Sequence, residues 1–494
     1  MAISFNNIPS NIRVPLFYAE VDNSMANTGA NNLKTLLIGQ KTANGLAQSG
    51  KPFLLTSGSK GEEQAGLGSQ LSIMNNSYRA NDGFGEVWAI ALDDPASGVA
   101  ATGKFTVASA AESAGTLYIY IDDERVPVGV EAGDDVATIA QAIASGINAK
   151  PALPVTASAS AGVVTVTAKN KGLWTNDITL GFNLQGYAAG EQLPQGVGLS
   201  VTAMTGGNGT PDLAAAIKAM GDEEYDFIAM PYADADSLNK FKEVMNDDTG
   251  RWAWSRQIYG HVYSVKRGTV SELQSFGHDR NDQHATVFGI EPTMVSSNAK
   301  VLGAVVAQIA SATGIDPARP LQTLELIGVS SAPAGERFMM TERQTLLTNG
   351  IATLYYGGGY VRIERAITTY QKNAFDVADT SYLDSETLHT LAYILRDLKS
   401  VITSKYPRHK LASDGTRFGP GQAIVTPSTI RAELVSQYRK LENQGIVENT
   451  DLFKQYLIVE RNVNDPNRLD VLLPPDLVNG LRIFAVLAQF RLNY

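Results

Sequence analysis

One change of rhythm constrains the fold more than anything else in the chain. From residue 33 the apolar residues come in short, unbroken runs, LKTLLIG (Leu33–Gly39) and EVWAIAL (Glu86–Leu92). A helix is expected between them over Glu62–Arg79. Runs that are apolar on both faces and alternate with helices belong to a parallel sheet covered on both sides. Over residues 103–204 the style changes to Gly, Ala, Thr and Val, with period-two alternation in TLYIYID, RVPVGV, LPVTASA and GVVTVTAKN. A helix over Asp134–Ala149 interrupts them, with Val136, Ile139, Ala140, Ile143 and Ile147 on one face. DDPASGVAATG before this stretch and MTGGNGTP after it are loop compositions. Residues 103–204 therefore read as a small α+β or β-sandwich domain inserted into another.

The first style resumes at Thr210. TPDLAAAIKAMG reads as a helix with Thr210 as N-cap, Pro211 at N1 and Gly221 as the stop. Strands follow at Tyr225–Tyr232, QIYGHVYSV and His284–Ile290, with a helix near Ser237–Met245 and a buried one over Ala299–Ala312. The fold class is thus α/β, with a discontinuous core over 31–102 and 205–370. Residues 371–480 read as a C-terminal α+β domain. One helix there is capped by Asp384 or Ser385 and striped by Leu388, Leu391, Leu395, Leu398 and Ile402. A second starts at TPSTIRAEL and stops at Gly445, and Asp451–Asn462 and Arg468–Pro475 are strand-like.

At 494 residues, several domains are expected. A net charge of −10 argues against a general nucleic-acid binder, and the absence of cysteine excludes disulfides and thiolate chemistry. MAISFNNIPS has no signal-peptide pattern, and no apolar run reaches membrane-spanning length, so folding in a cytoplasm-like space is expected. Charge is uneven: residues 1–370 carry −11 and residues 371–494 carry +1. That asymmetry suits faces that meet different partners.

No catalytic constellation emerges. Walker-type loops, G-x-G-x-x-G before a helix, H-E-x-x-H and G-x-S-x-G are all absent. GGGYVRIER (Gly357–Arg365) reads as a turn entering a strand, and GVSSAPAG (Gly328–Gly335) as a loop. His278, Asp279, Asp282 and His284 lie close together, but their spacing fits no ligand pattern. RWAWSRQIYGHVYSVKRG (Arg251–Gly268) could stack bases; a helix-to-strand junction with Trp252 and Trp254 packed is the plainer reading. No cofactor or metal is expected.

The ends are unusual. NIRVPLFYAEV (Asn11–Val21) is strand-like but broken by Pro15, so residues 1–30 read as an extended arm. LRIFAVLAQFRLNY (481–494) is apolar on both faces: Leu481, Ile483, Ala485 and Leu487 on one, Phe484, Val486, Ala488, Phe490 and Leu492 on the other. Such a strand is either a core strand of its own subunit or a strand donated to a neighbour. Donation would rest on Leu481, Ile483, Phe484, Val486, Phe490 and Leu492, helped by Ile12, Val14 and Leu16 of the arm. Two donating ends make head-to-tail contacts that build rings or filaments.

Several stretches carry a family resemblance. ATLYYGGGYVRIERAITTYQKNAFDVADTSYLDSETL (Ala352–Leu388), LELIGVSSAPAGERFMMTERQTLLTNGI and SKYPRHKLASDGTRFGPGQAIVTPSTIRAELVSQYRKLENQGIVEN resemble contractile-tail sheath proteins of Mu-like bacteriophages. Residues 103–204 resemble the inserted domain of that family. The resemblance implies a structural, non-enzymatic subunit that stacks as hexameric rings around a tail tube. A baseplate signal makes the rings contract and drive the tube through the host envelope. The partners it implies are further copies of the chain, the tail tube protein, and baseplate and tail terminator proteins, with no nucleic acid and no membrane insertion. The insertion would protrude outward, and the terminal arms, 1–30 and 481–494, would link subunits. The place of action would be the virion tail, after assembly in the host cytoplasm. Two other readings stay open: an α/β hydrolase with an accessory β domain, and another self-assembling tail component.

Overall fold

The computed structural model describes residues 33–492. Residues 1–32, and with them Ile12, Val14 and Leu16 of the expected arm, lie outside the described residues, as does Tyr494.

The chain enters through β1 (Lys34–Gln40), β2 (Pro52–Leu55), α1 (Gly58–Ala65), α2 (Gln70–Asn81) and β3 (Glu86–Leu92). The helix expected over 62–79 is two helices. Gly66 and Gly68 take positive φ of 84° and 76°, which ends the first, and Ser69 caps the second. Next come β4 (Thr102–Ser109), β5 (Gly115–Ile121), β6 (Glu124–Val130), α3 (Val136–Asn148), β7 (Val155–Ser160), β8 (Val163–Ala168), β9 (Leu180–Phe182) and β10 (Gly198–Thr205). They are followed by α4 (Ala214–Met220), β11 (Phe227–Ala229), α5 (Ala235–Met245), β12 (His261–Arg267), α6 (Val270–His278), β13 (Ala285–Ile290) and α7 (Asn298–Ile315). Thr210 does not cap α4, which begins only after Leu213. Then come β14 (Glu325–Leu326), α8 (Met340–Thr348), β15 (Ala352–Gly357) and β16 (Tyr360–Arg365).

Nine of these strands form one sheet, in the order β14-β16-β15-β13-β12-β11-β1-β3-β2. The run from β3 to β15 is parallel, while β2, β16 and β14 are antiparallel at the margins. Both faces are buried, as the unbroken apolar runs require. Leu36, Ile38, Ile90, Val262 and Val287 belong to the core on one face; Leu37, Ala89, Phe227, Tyr263 and Phe288 belong to the core on the other. α2 and α7 cover the second face. They cross so closely that a Cβ on Gly303 would lie 2.2 Å from the Met74 carbonyl oxygen.

The segment β4–β10 lies in the crossover from β3 to β11. It holds a four-stranded antiparallel sheet, β10-β4-β8-β7, and a three-stranded one, β6-β5-β9, with α3 packed on strands of both. Its stem is closed by reciprocal backbone bonds between Val99 and Asn208. Its interior is not isolated. Phe105, Ile119, Ile143 and Val164 share one continuous apolar core with Leu36, Ile38 and Ile90 of the main sheet. Polar ties join the two as well. Gln40 Nε2 donates to the Lys171 carbonyl (2.7 Å), and Lys300 pairs with Asp123 at 2.8 Å.

The last part comprises α9 (Ser385–Lys405), β17 (Lys410–Leu411), β18 (Ile424–Val425), α10 (Pro427–Asn443), α11 (Thr450–Tyr456), β19 (Ile458–Arg461) and β20 (Leu469–Leu472). DLFKQY, expected as strand, is helical because Phe453 and Leu457 bury at helical spacing, with Phe453 stacked 3.7 Å from Tyr438. The stripe expected on α9 is rotated. Leu388, His389, Ala392 and Ile394 are buried while Leu395 is exposed. The reason is that α9 serves two bodies. His389 bonds Tyr263 of the sheet at 2.7 Å, while Ile394, Leu398 and Ile402 belong to the C-terminal core.

Candidate assembly interface

His261 and His389 pack against each other in the core, ring centroids 5.8 Å apart, but the stretch from His278 to His284 does not close into a site. His278 and Asp279 face solvent; His284 is buried and bonds Asp247 at 2.8 Å. His261 bonds Thr286 at 2.8 Å, and burial pushes its imidazole well below the usual range. Among the described residues no group of three His, Asp or Glu side chains is placed to hold a metal ion. Trp252 is packed and donates to the Gly260 carbonyl at 2.9 Å, but Trp254, expected to pack beside it, is 83% exposed.

Where an α/β sheet of this kind would bind a small molecule, the inserted segment lies against the end of β1, and a cavity of about 260 Å³ lined by Trp174, Tyr232 and Arg267 remains beside it. The strand order reverses between the β3 and β11 sides of β1, and ligands of open α/β sheets sit at the carboxyl ends of the strands at such a point. Here Gln40, at the end of β1, reaches into residues 170–171 of the insertion, and Asn170 returns a bond to the Lys41 carbonyl at 2.9 Å. Trp174 and Thr175 are buried in the same region.

The exposed apolar surface lies at the far end of the chain. Val478 still bonds Ile446 through the backbone, and Arg482 is held against Asp384 and Glu386. Beyond it, residues 483–492 take no strand and pair with no sheet among the described residues. Ile483, Phe484, Val486, Leu487, Phe490 and Leu492 are each 69–88% exposed. Side chains of this size gain about 1.5–3 kcal/mol each on burial, so in water they stand far from their free-energy minimum. Leu481 is also exposed, but its carbonyl accepts from Gln322 Nε2 at 3.3 Å.

A second open feature sits nearby in the sequence. Among the described residues β19 and β20 pair only with each other, so neither outer edge of the hairpin has a strand partner there. Val459 and Leu469 pack on the C-terminal core, while Ile458, Val471 and Leu472 are exposed. A two-stranded ribbon is marginal alone and is a template for further strands. Sequence reasoning marked the exposed residues of 481–492 together but missed the open hairpin, because helix and strand patterns overlap in DLFKQYLIVERN. It also missed Arg482, whose acidic partners lie about a hundred residues earlier and leave no local signal.

Comparison with known proteins adds the following. A model of the phage tail sheath protein central domain matches residues 206–369, and one of the phage tail sheath C-terminal domain matches residues 377–491. The Mu-like prophage FluMu tail sheath protein of Haemophilus influenzae is 39% identical over 495 residues, covering 99% of this chain and 100% of that protein. The crystal structure of a sheath tail protein from Desulfitobacterium hafniense shares the fold over 95% of this chain and 97% of its own, with a TM-score of 0.50 and 13% identity. A sheath tail protein from Listeria innocua aligns over 91% of this chain and 92% of its own, with a TM-score of 0.48 and 14% identity.

Proposed function

The chain belongs to the phage tail sheath family, a family of structural proteins of the phage tail, and on that premise we propose that it polymerises as stacked, hexameric rings around a tail tube and contracts to drive the tube through the host envelope. The observation that carries the polymerisation is the terminal segment. Ten residues, 483–492, hold six large apolar side chains in water with no strand partner among the described residues. Donated to a neighbour, the segment adds main-chain bonds to an open edge and buries those side chains alternately on two faces. The β19–β20 hairpin is the acceptor this geometry favours, since neither of its outer edges has a strand partner among the described residues and Ile458 and Leu472 stay exposed on the face away from the core, beside Glu460 and Asp470.

In this reading the links are permanent and the broad domain surfaces are not. Polar surfaces exchange partners when the rings twist, while donated strands keep the lattice connected. The work comes from repacking the lattice, which needs no nucleotide site. Leu481, Ile483, Phe484, Val486, Phe490 and Leu492 are the linking residues on the described part of the chain, and Ile12, Val14 and Leu16 the corresponding ones on the arm. The division into an arm (1–30), a core (31–102 and 205–370), an outward insertion (103–204), an inner C-terminal domain (371–480) and a linking strand (481–494) is part of this proposal. So are tail tube, baseplate and tail terminator proteins as partners, and assembly in the host cytoplasm.

Electron microscopy of the purified full chain and of a form truncated after Arg482 tests it. The full chain should give hollow tubes or stacked rings of uniform width; the truncated form should keep its melting midpoint and remain monomeric. Normal tubes from the truncated form would overturn donation by this segment.

A further inference from the structure

The terminal segment divides sharply at Arg482. On the far side every large side chain among the described residues, through Leu492, is in water. On the near side three consecutive residues are seated on the core of their own subunit. Gly480 lies so close to Pro320 that a Cβ would come within 2.5 Å of the proline ring. The Leu481 carbonyl accepts from Gln322, and the Gln322 amide oxygen in turn accepts from the Arg482 guanidinium at 3.3 Å. The Arg482 side chain is only 14% exposed and lies between two carboxylates, Asp384 at 3.4 Å and Glu386 in direct contact.

Those carboxylates are not surface decoration. Asp384 is the N-cap of α9 and Glu386 lies in its first turn. Asp384 is also gripped by the Arg365 fork, at 2.8 and 2.9 Å, from the end of β16. Burial raises the Asp384 carboxyl, but the Arg365 bond and the Arg482 charge outweigh it and hold the group below the ordinary aspartate range. Two arginines and two acids thus join the margin of the main sheet, the start of α9 and the root of the terminal segment. Acids at a helix N-terminus are favoured by its dipole, and a partly buried arginine between two of them is a strong anchor whose removal strands buried charge.

We propose that Gly480–Arg482 form a mooring that stays with its own subunit, fixes the direction in which the linking segment leaves, and passes tension from a neighbour to the start of α9. The mooring rests on the strand-donation reading for its purpose, though not for its existence. Holding the root of a linker in one direction lowers the ordering cost of each docking event. It also places the load where the core and the C-terminal body meet, since α9 belongs to both. The donated segment is accordingly residues 483 onward: Leu481 leaves the set of linking residues and stays with its own subunit, and Arg482 is a positioning residue.

Trypsin reads the mooring directly, because Arg482 and Arg491 are both cleavage sites on one short segment and differ in burial. On the full chain, held below its assembly concentration, the Arg491–Leu492 bond should be cut at least about ten times faster than the Arg482–Ile483 bond, since cleavage follows local opening. In Glu386→Gln, and more so in Asp384→Asn with Glu386→Gln, the two rates should come within about twofold. Equal rates in the unaltered protein would overturn the mooring. Its purpose is tested by the assembly threshold. The doubly altered protein, with its overall melt retained, should need on the order of ten times more protein to form tubes, because the freed root must be ordered at each docking. Arg482→Lys, which keeps the charge and the cleavage site, should fall between. An unchanged threshold in a variant whose Arg482 bond has become cleavable would overturn the positioning role. Tubes from the form truncated after Arg482 would instead overturn strand donation, while leaving the protection of Arg482 intact.

Discussion

His389 shows how a polar residue comes to lie inside a helix stripe. It sits on α9 against Phe227, with ring centroids 4.9 Å apart, and its Nε2 meets the Tyr263 hydroxyl at 2.7 Å. Burial, with Arg396 nearby, pushes its pKa from the usual 6.5 to about 3. The sign of the consequence is definite. Below the ordinary value the unfolded chain takes up a proton that the folded chain refuses, so stability falls as pH drops from about 6.5 toward 3, by at most ~1.4 kcal/mol per unit. His261 acts in the same sense, since burial lowers it too. The His389→Gln variant keeps a hydrogen-bonding group for Tyr263 but does not titrate. Urea titrations at pH 7 and pH 5 should show the unaltered protein losing more stability than the variant, by up to about 2 kcal/mol. Equal losses would mean that His389 is solvated in the folded state.

At the scale of elements, close packing decides more than propensity. α7 is buried on nearly every side, and α2 approaches it over Gly303. The Gly303→Ala change adds the better helix former, yet its Cβ would stand 2.2 Å from a backbone oxygen that cannot move alone. It should destabilise the protein by ~1–3 kcal/mol despite the gain in propensity. Gly314, on the same helix, has nothing within 4 Å of an added Cβ, so Gly314→Ala should be neutral or stabilising. Thermal melts of the pair provide the check; similar shifts would contradict the helix crossing described here. The same logic explains the elements that the sequence pattern misplaced. Gly66 and Gly68 break one expected helix, and a Cβ on Gly68 would strike the Leu153 carbonyl of the insertion at 2.1 Å. That break is needed for a contact made some eighty residues away.

At the scale of the whole molecule, the insertion is part of the core's support. Its two ends meet at Val99 and Asn208, so residues 100–207 could be excised across a closed stem without stretching the chain. Excision would nevertheless open one face of the main sheet and leave Gln40 and Lys300 without their partners across the junction. Buried polar groups without partners cost about 1–3 kcal/mol each. The excised protein should melt on the order of 10 °C lower than the full chain. An unchanged midpoint would mean that the insertion is energetically independent. The acidic ties at Asp123 and Asp177 are met by Lys300 and Asn298, so the two bodies are held at more than one point.

The sequence by itself determined the period of each region. Unbroken apolar runs fixed a sheet buried on both faces, and alternation marked the β-rich stretch between them, because burial on one or two sides leaves a local pattern. It also determined the family resemblance and the apolar character of residues 481–492. Only the tertiary structure decided which partners those residues find. Nothing in LRIFAVLAQF says whether the segment lies in its own sheet; in the fold, residues 483–492 join none of the sheets among the described residues and stay in water. Nothing in the sequence near Arg482 points to Asp384 and Glu386, or near Gln40 to Lys171. Such pairings depend on where the backbone brings distant residues together, and periodicity carries no information about that distance.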